Sequence, residues 1–204
     1  MLILASASER RAQILRSLGV KFTQCIPECS EETDRNYYHA AIKNALRKAR
    51  TCAERFPMDI VLGYDTVVVV DGNMLGKPES SEMARAFLHQ LSGCMHLVIT
   101  GVAVVCIERK IEIASYSETK VYFKHLDETE IENYLASGEW RGKAGGYGIQ
   151  GKAGVFVEKL EGCYFNVVGL PINLTYELLA KSGINLWEYM EKKNPKPLQA
   201  CETV

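Results

Sequence analysis

One apolar stretch interrupted by a single acidic residue constrains the fold of this chain more than any other feature. Residues 59–71 are mostly apolar and β-branched, and Asp65 lies in their middle. The run predicts a bent strand or a pair of strands followed by a turn at 71–73. A carboxylate there must be hydrogen-bonded, paired or bound to a cation, because an unpaired buried charge is costly. A strand-end cap or a turn is the alternative, but a short hairpin returns Lys77 towards Asp65, which favours a functional role.

Strand and helix patterns alternate along the rest of the chain. Period-two and β-branched runs predict further strands at 2–5, 21–26, 96–107 and 112–123, and two short strands on either side of Gly162. Apolar residues at helical spacing, with caps, predict helices after Ser8 and over about 36–56, 79–93, 127–139 and 171–181. This order predicts an α/β fold: an elongated mixed β-sheet with flanking helices and a central cleft. We expect a single domain over 1–193, with two lobes around the cleft, and a C-terminal tail over 194–204.

Composition limits the kinds of partner that the chain is expected to bind. The chain has 204 residues, 47% hydrophobic and 24% charged, with a net charge of -1. This balance argues against broad nucleic-acid or membrane binding, and no apolar run approaches the roughly twenty residues of a membrane span. Its seven cysteines show no metal-site spacing, which favours reduced thiols and a cytoplasmic location.

The first strand leads into a candidate phosphate site. The sequence "LASASERR" joins a strand to a helix start that carries Ser6, Arg10 and Arg11. Free backbone N–H groups, the positive helix end and two guanidinium groups all favour an anion. A solvated helix start fits this segment equally well when it is taken alone.

Two further segments could complete a nucleotide site. Glu31 and Glu32 follow the second predicted strand, and with Asp65 they could hold Mg²⁺, although a solvated acidic loop is the simpler interpretation of the pair. The glycine-rich loop at 142–154 could approach a ligand closely, and its Gln150 offers a donor and an acceptor to a base edge. A flexible loop is the alternative there.

Eight motifs in order identify a family. They are "LILASAS-x-RR", "EE", "LRKA", "GYDTVV", "LGKP", "LSGCMHLVITGV", "KAGGYGIQG" and "NVVGLP", and they extend over residues 2–179. With them the chain resembles the Maf family of nucleoside triphosphate pyrophosphatases. The resemblance implies a fold similar to that of the inosine triphosphate pyrophosphatases, a homodimer, and a divalent metal ion: Mg²⁺, with Mn²⁺ or Co²⁺ as alternatives.

The resemblance also implies roles for individual residues. Ser6 and Arg11 match the phosphate-binding serine and arginine, and Lys48 and Lys77 match the lysines that hold the triphosphate. Asp65 matches the proposed general base. Arg11, Lys48, Lys77 and Asp65 are therefore expected to be catalytic.

The second acid is assigned less directly. Glu32 matches the catalytic acid of the second-strand loop, and one extra residue nearby leaves Glu31 as the alternative. The resemblance implies that Glu32 and Asp65 are the metal ligands.

Base preference divides this family into branches. Arg10, Thr66 and Gln150 occupy the positions that distinguish them, and this combination resembles the branch that acts on dTTP and UTP. Two residues depart from the pattern: Glu9 replaces a proline and adds negative charge beside the phosphate site, and Gly142 replaces an aspartate.

The sequence therefore predicts a hydrolase that converts dTTP, UTP and modified pyrimidine triphosphates to the monophosphate and pyrophosphate. The alternative is a non-enzymatic nucleotide-binding regulator of cell division, which would be expected to lose Asp65 or a lysine first. RNA binding lacks support, because no basic stripe with interleaved aromatic residues is present.

Overall fold

The computed structural model describes residues 1–32, 34 and 36–191, so the predicted tail at 194–204 lies outside the described residues. Within them, one mixed sheet contains seven strands. The strands are β1 Leu2–Ala5, β2 Thr23–Cys25, β3 Ile60–Val70, β4 Asn73–Leu75, β5 Met95–Cys106, β6 Ile111–Phe123 and β7 Val157–Glu161. The helices are α1 Glu9–Ser17, α2 Tyr37–Ala53, α3 Ser81–Leu91, α4 Glu128–Ser137, α5 Tyr164–Val168 and α6 Ile172–Lys181. The predicted mixed α/β architecture is confirmed.

The sheet order is β2-β1-β3-β5-β6-β7, with β4 beside one half of β3. β1 is parallel to β2 and β3, whereas the other pairs are antiparallel. The apolar run is thus one continuous strand rather than a strand pair. Along one edge of β3, β1 pairs as far as Gly63 and β4 pairs from Val68 onwards. The stretch between them, which contains Asp65, is left open on that edge.

The hydrophobic core is divided at the same place. Alternate residues of β3 point to the same face of the sheet. On one face Leu62 and Tyr64 belong to one buried cluster and Val68 to another, with Thr66 between them. The two clusters form opposite walls of a cleft beside the open stretch of β3. The domain boundaries predicted above, 1–193 and 194–204, stay predictions.

α2 packs against the opposite face at unusually short range. A Cβ atom at Gly63 would lie 2.2 Å from the carbonyl oxygen of Ala45, and one at Gly101 would lie 2.2 Å from that of Ala41. Two glycines on the sheet and a stripe of alanines on the helix therefore let the two backbones nearly touch. This contact fixes the distance of α2 from β3, and with it the position of every side chain that α2 points at the cleft.

One predicted element is wrong. β7 precedes Gly162 as predicted, but the segment after it is the short helix α5, not a strand. Val167 and Val168 favour a strand locally. Tertiary contacts override this preference, because the buried side chain of Asn166 donates hydrogen bonds to the Val98 carbonyl and the Thr119 hydroxyl. Over the described residues, no helix is both long and apolar enough to cross a membrane.

The contact between α2 and the sheet gives a stability prediction. Gly101→Ala should lower the free energy of unfolding by about 1–3 kcal/mol or more, because the added methyl group meets rigid backbone. Urea unfolding measures this. Gly76→Ala is the matched control, since no atom lies within 4 Å of its added Cβ. Equal stability of the two variants would contradict the close packing.

Candidate active site

A cavity of about 500 Å³ opens at the free stretch of β3. Eight of the nine residues predicted for the site line it, and they come from five separate segments of the chain. They are Ser6, Arg10, Arg11, Lys48, Asp65, Thr66, Lys77 and Gln150. The ninth, Glu32, does not line the cavity, whereas its neighbour Glu31 does.

Asp65 is the buried centre of this cavity, with 4% of its surface exposed. The Nζ atom of Lys48, one turn along α2 from Asn44, lies 2.5 Å from its Oδ1 atom, and Asn44 donates to its Oδ2 atom at 3.3 Å. The two contacts satisfy both oxygens and compensate the buried charge. Asn44 was not predicted; the signal was a polar residue four positions before Lys48 on the inner side of the helix.

Glu31 completes a chain of charges. Its Oε1 atom accepts from Lys48 at 2.8 Å and from Lys77 at 3.0 Å. Burial opposes ionisation of Glu31, but the two lysines outweigh it and lower the pKa of Glu31 to about 2. Lys77 thus reaches the centre through Glu31 and not directly.

The structure favours Glu31 over Glu32 as the acid that faces the cavity. The carboxylate of Glu32 pairs with Arg47 on the outer side of the loop. The cause is Asn44, which bonds both the N–H and the carbonyl of Glu32, at 2.8 and 3.0 Å. Since this holds the Glu32 backbone against α2, Glu31 projects into the cavity. The catalytic and metal-binding roles of these acids stay predictions.

Arg11 lies at the other side of Asp65 in a fixed orientation. It donates from Nε to the Gly169 carbonyl at 2.7 Å, from Nη1 to Ser6 Oγ at 3.1 Å and from Nη2 to Thr66 Oγ1 at 2.9 Å. Its guanidinium also lies over the ring of Tyr64. Burial lowers the pKa of Arg11, opposed by the negative charge of Asp65, and the group stays a cation.

Arg10 also lines the cavity, but its surroundings differ. Burial lowers the pKa of Arg10, opposed among the described residues by Tyr134 alone. Glu9, which replaces the proline of the family pattern, forms an ion pair with Arg16 on the same helix. This pair limits the effect of the Glu9 charge on the site. Gly142, the second departure, has a φ of +67° and borders open space, so this backbone conformation suits glycine.

The glycine-rich loop is ordered by a buried aromatic contact. The Tyr147 hydroxyl bonds Nε2 of His96 at 2.7 Å, and its ring packs edge-on against Phe123. Tyr147 therefore anchors the loop to the core, and its hydroxyl is engaged by a buried histidine. The N–H of Gly145 donates to the carbonyl of Gly76 at 2.9 Å, which ties the loop to the hairpin that carries Lys77.

Comparison with known proteins finds a matching family and named relatives. A family profile described as "Maf-like protein" matches residues 1–182. A protein named "dTTP/UTP pyrophosphatase" from Moorella thermoacetica is 46% identical over 188 residues, which cover 91% of this chain and 97% of that protein. One of the same name from Rhizobium etli is 45% identical over 194 residues, 91% of this chain and 94% of that protein. The solved structure of the Staphylococcus aureus Ham1 protein aligns with 60% of this chain and 71% of its own at 13% identity, with a TM-score of 0.42.

The loop anchor gives a pH prediction. Burial lowers the pKa of His96 from 6.5 to about 4. Between these values the unfolded chain binds a proton that the folded chain does not, so the free energy of unfolding should fall as pH drops from 6.5 to 4, by roughly 2–3 kcal/mol from this residue. His96→Gln should flatten the dependence in that window in urea titrations. His125→Gln, at an exposed position, is the control; an unchanged slope in His96→Gln would contradict the assignment.

Proposed function

The chain belongs to the Maf-like protein family, and we propose that it hydrolyses dTTP and UTP to the nucleoside monophosphate and pyrophosphate. One observation carries this proposal: the buried Asp65 carboxylate shares a cavity with Arg10, Arg11, Lys48 and Lys77. The names of the relatives, which are 42–46% identical to this chain, support the same activity.

The charge of the cavity suits a polyphosphate. Five cationic side chains line it against three acidic ones: Arg10, Arg11, Lys48, Lys77 and Lys143 against Glu9, Glu31 and Asp65. Glu9 forms its ion pair with Arg16, which does not line the cavity. The excess of positive charge within the cavity is therefore larger than five against three. A triphosphate would compensate it, and lysines released from Glu31 would bind phosphate oxygens.

A divalent metal ion fits the donor set. Asp65 and Glu31 contact the same Nζ atom of Lys48, at 2.5 and 2.8 Å, so both carboxylates lie within reach of a single cation. No group of three or more acidic, histidine or cysteine side chains among residues 1–32, 34 and 36–191 could hold a metal alone. Two carboxylates plus substrate phosphates are the kind of oxygen set that Mg²⁺ accepts, and Mn²⁺ or Co²⁺ would fit as well. Such an ion would neutralise phosphate charge as the bond breaks.

Asp65 is the proposed general base. Water attacks the α-phosphorus, the bond to the bridging oxygen breaks, and pyrophosphate leaves with the bonding electrons. Asp65 accepts the proton of the attacking water, and Asn44 keeps its carboxylate oriented. Arg11 and Lys77 stabilise the charge that develops on the phosphates.

Arg10 and Gln150 are the proposed contacts to the pyrimidine base, because both line the cavity without belonging to the Lys48–Glu31–Lys77 chain. Removal of modified pyrimidine triphosphates would be the biological purpose. The homodimer and the cytoplasmic location also remain proposals, and light scattering of the purified protein tests the former.

The activity is tested by pyrophosphate release from a panel with Mg²⁺: dTTP, UTP, CTP, 5-methyl-UTP, pseudo-UTP, GTP, 7-methyl-GTP and ITP. We expect selective turnover of the uridine and thymidine forms. Asp65→Asn should lower kcat by about 10²-fold or more, since it removes the base but keeps the size of the side chain. Turnover of purines would overturn the specificity, and nucleotide binding without any turnover would favour a regulator.

The two neighbouring glutamates provide a matched pair. Glu31→Gln should reduce kcat strongly, because it removes a carboxylate from the cavity, whereas Glu32→Gln should lose only a surface ion pair. Pyrophosphate release and its dependence on metal concentration measure both. A larger loss in Glu32→Gln would restore the assignment made from the sequence.

A further inference from the structure

We infer that Thr66, together with the buried Thr100, positions Arg11 for the phosphates. This deepens the proposed function and rests on it for the identity of the ligand. Thr66 lines the cavity, whereas Thr100 has no exposed surface and does not line it. Thr100 would therefore be a positioning residue that never touches the substrate.

A single line of hydrogen bonds connects these groups. Nη2 of Arg11 donates to Thr66 Oγ1 at 2.9 Å, and Thr66 Oγ1 lies 3.0 Å from Thr100 Oγ1. Thr100 donates to the carbonyl of Asn166 at 3.1 Å. The two threonines are direct partners across β3 and β5, so their side chains share one face of the sheet.

The direction of this line is determined at both ends. A guanidinium only donates and a backbone carbonyl only accepts. Thr100 therefore gives its proton to Asn166, and Thr66 must give its own proton to Thr100 while it accepts from Arg11. No proton remains on Thr66 for the carbonyl oxygens of a pyrimidine. The proton of Thr66 is committed to Thr100, and one of its two acceptor sites is committed to Arg11.

The hydrogen bonds of Arg11 also orient its guanidinium to bind an anion. Three of its five N–H donors are used inside the protein, by Gly169, Ser6 and Thr66, and two remain free to bind phosphate. Gly169 ends α5 at a φ of +110°, and a Cβ atom there would lie 3.1 Å from Thr66 Oγ1. The α5 turn thus holds the guanidinium against the threonine, in a fork of fixed orientation.

The experiment uses a ligand without a base. Binding of inorganic tripolyphosphate with Mg²⁺ is measured by calorimetry for wild type, Thr66→Val, Thr100→Val and Thr100→Ser, and kcat/KM is measured for UTP and GTP. Valine keeps the branched shape of threonine and removes only the hydroxyl. Loss of the hydrogen bond to the charged Arg11 should weaken tripolyphosphate binding about tenfold in Thr66→Val. Thr100→Val removes the partner that orients the Thr66 hydroxyl and should weaken binding in the same direction by a smaller factor. Thr100→Ser should bind as wild type does.

Thr175→Val is the matched control. The Thr175 hydroxyl is similarly buried, pairs with the Tyr64 hydroxyl at 3.1 Å and donates to the Pro171 carbonyl at 2.9 Å. It makes no hydrogen bond to an arginine, and Arg11 contacts the ring face of Tyr64 rather than its hydroxyl. Thr175→Val should lower the melting temperature as much as Thr100→Val while tripolyphosphate binding stays unchanged. In Thr100→Val, kcat/KM for UTP and GTP should fall by the same factor, because Thr100 does not line the cavity.

Two results would overturn the inference. One is unchanged tripolyphosphate binding in Thr66→Val with an altered ratio of UTP to GTP turnover, which would make Thr66 a base reader. The other is equal loss of binding in Thr175→Val, which would make the effect one of general stability. Because the binding measurement needs no turnover, a wild-type protein that binds tripolyphosphate but hydrolyses no nucleotide would overturn the proposed function and leave this inference standing.

Discussion

The ion pair between Asp65 and Lys48 is the interaction on which the rest of the site depends. A carboxylate within an apolar strand needs hydrogen bonds or a compensating charge, and here the compensating charge comes from α2. Lys48 can reach Asp65 because α2 lies almost in contact with β3, at the glycine–alanine interface. The packing of α2 against the sheet and the compensation of the Asp65 charge in the cavity therefore depend on each other.

The cavity itself follows from an incomplete strand pairing. β1 and β4 cover the two ends of one edge of β3 and leave its middle free. Loops from both ends converge on this gap, with the Ser6 loop on one side and the Lys77 hairpin on the other. The positive charge of the site is thus assembled from distant parts of the chain around a single acidic residue.

Local sequence predicted most of the elements and the membership of the site, because apolar periodicity, caps and strong motifs are local signals. The resemblance to the family supplied the roles, which local patterns alone left open. What local sequence could not determine depends on contacts between distant residues. The local sequence of α5 favours a strand, and the helix depends on the hydrogen bonds of Asn166 to Val98 and Thr119. The choice between Glu31 and Glu32 needs the clamp of Asn44, and the commitment of the Thr66 hydroxyl needs Thr100 and Asn166. None of these partners is adjacent in the chain.

The hydrogen bond from Gly145 to Gly76 joins two loops, one beside the proposed base contacts and one beside Lys77. It connects backbone to backbone, and Gly145 adopts a φ of +68° that favours glycine, so the main chain and not a side chain makes this link. The two ends of the cavity are thereby held at a constant separation. The cavity side chains beside Lys77 and those beside Lys143 therefore share one main-chain support, although they come from loops far apart in the chain.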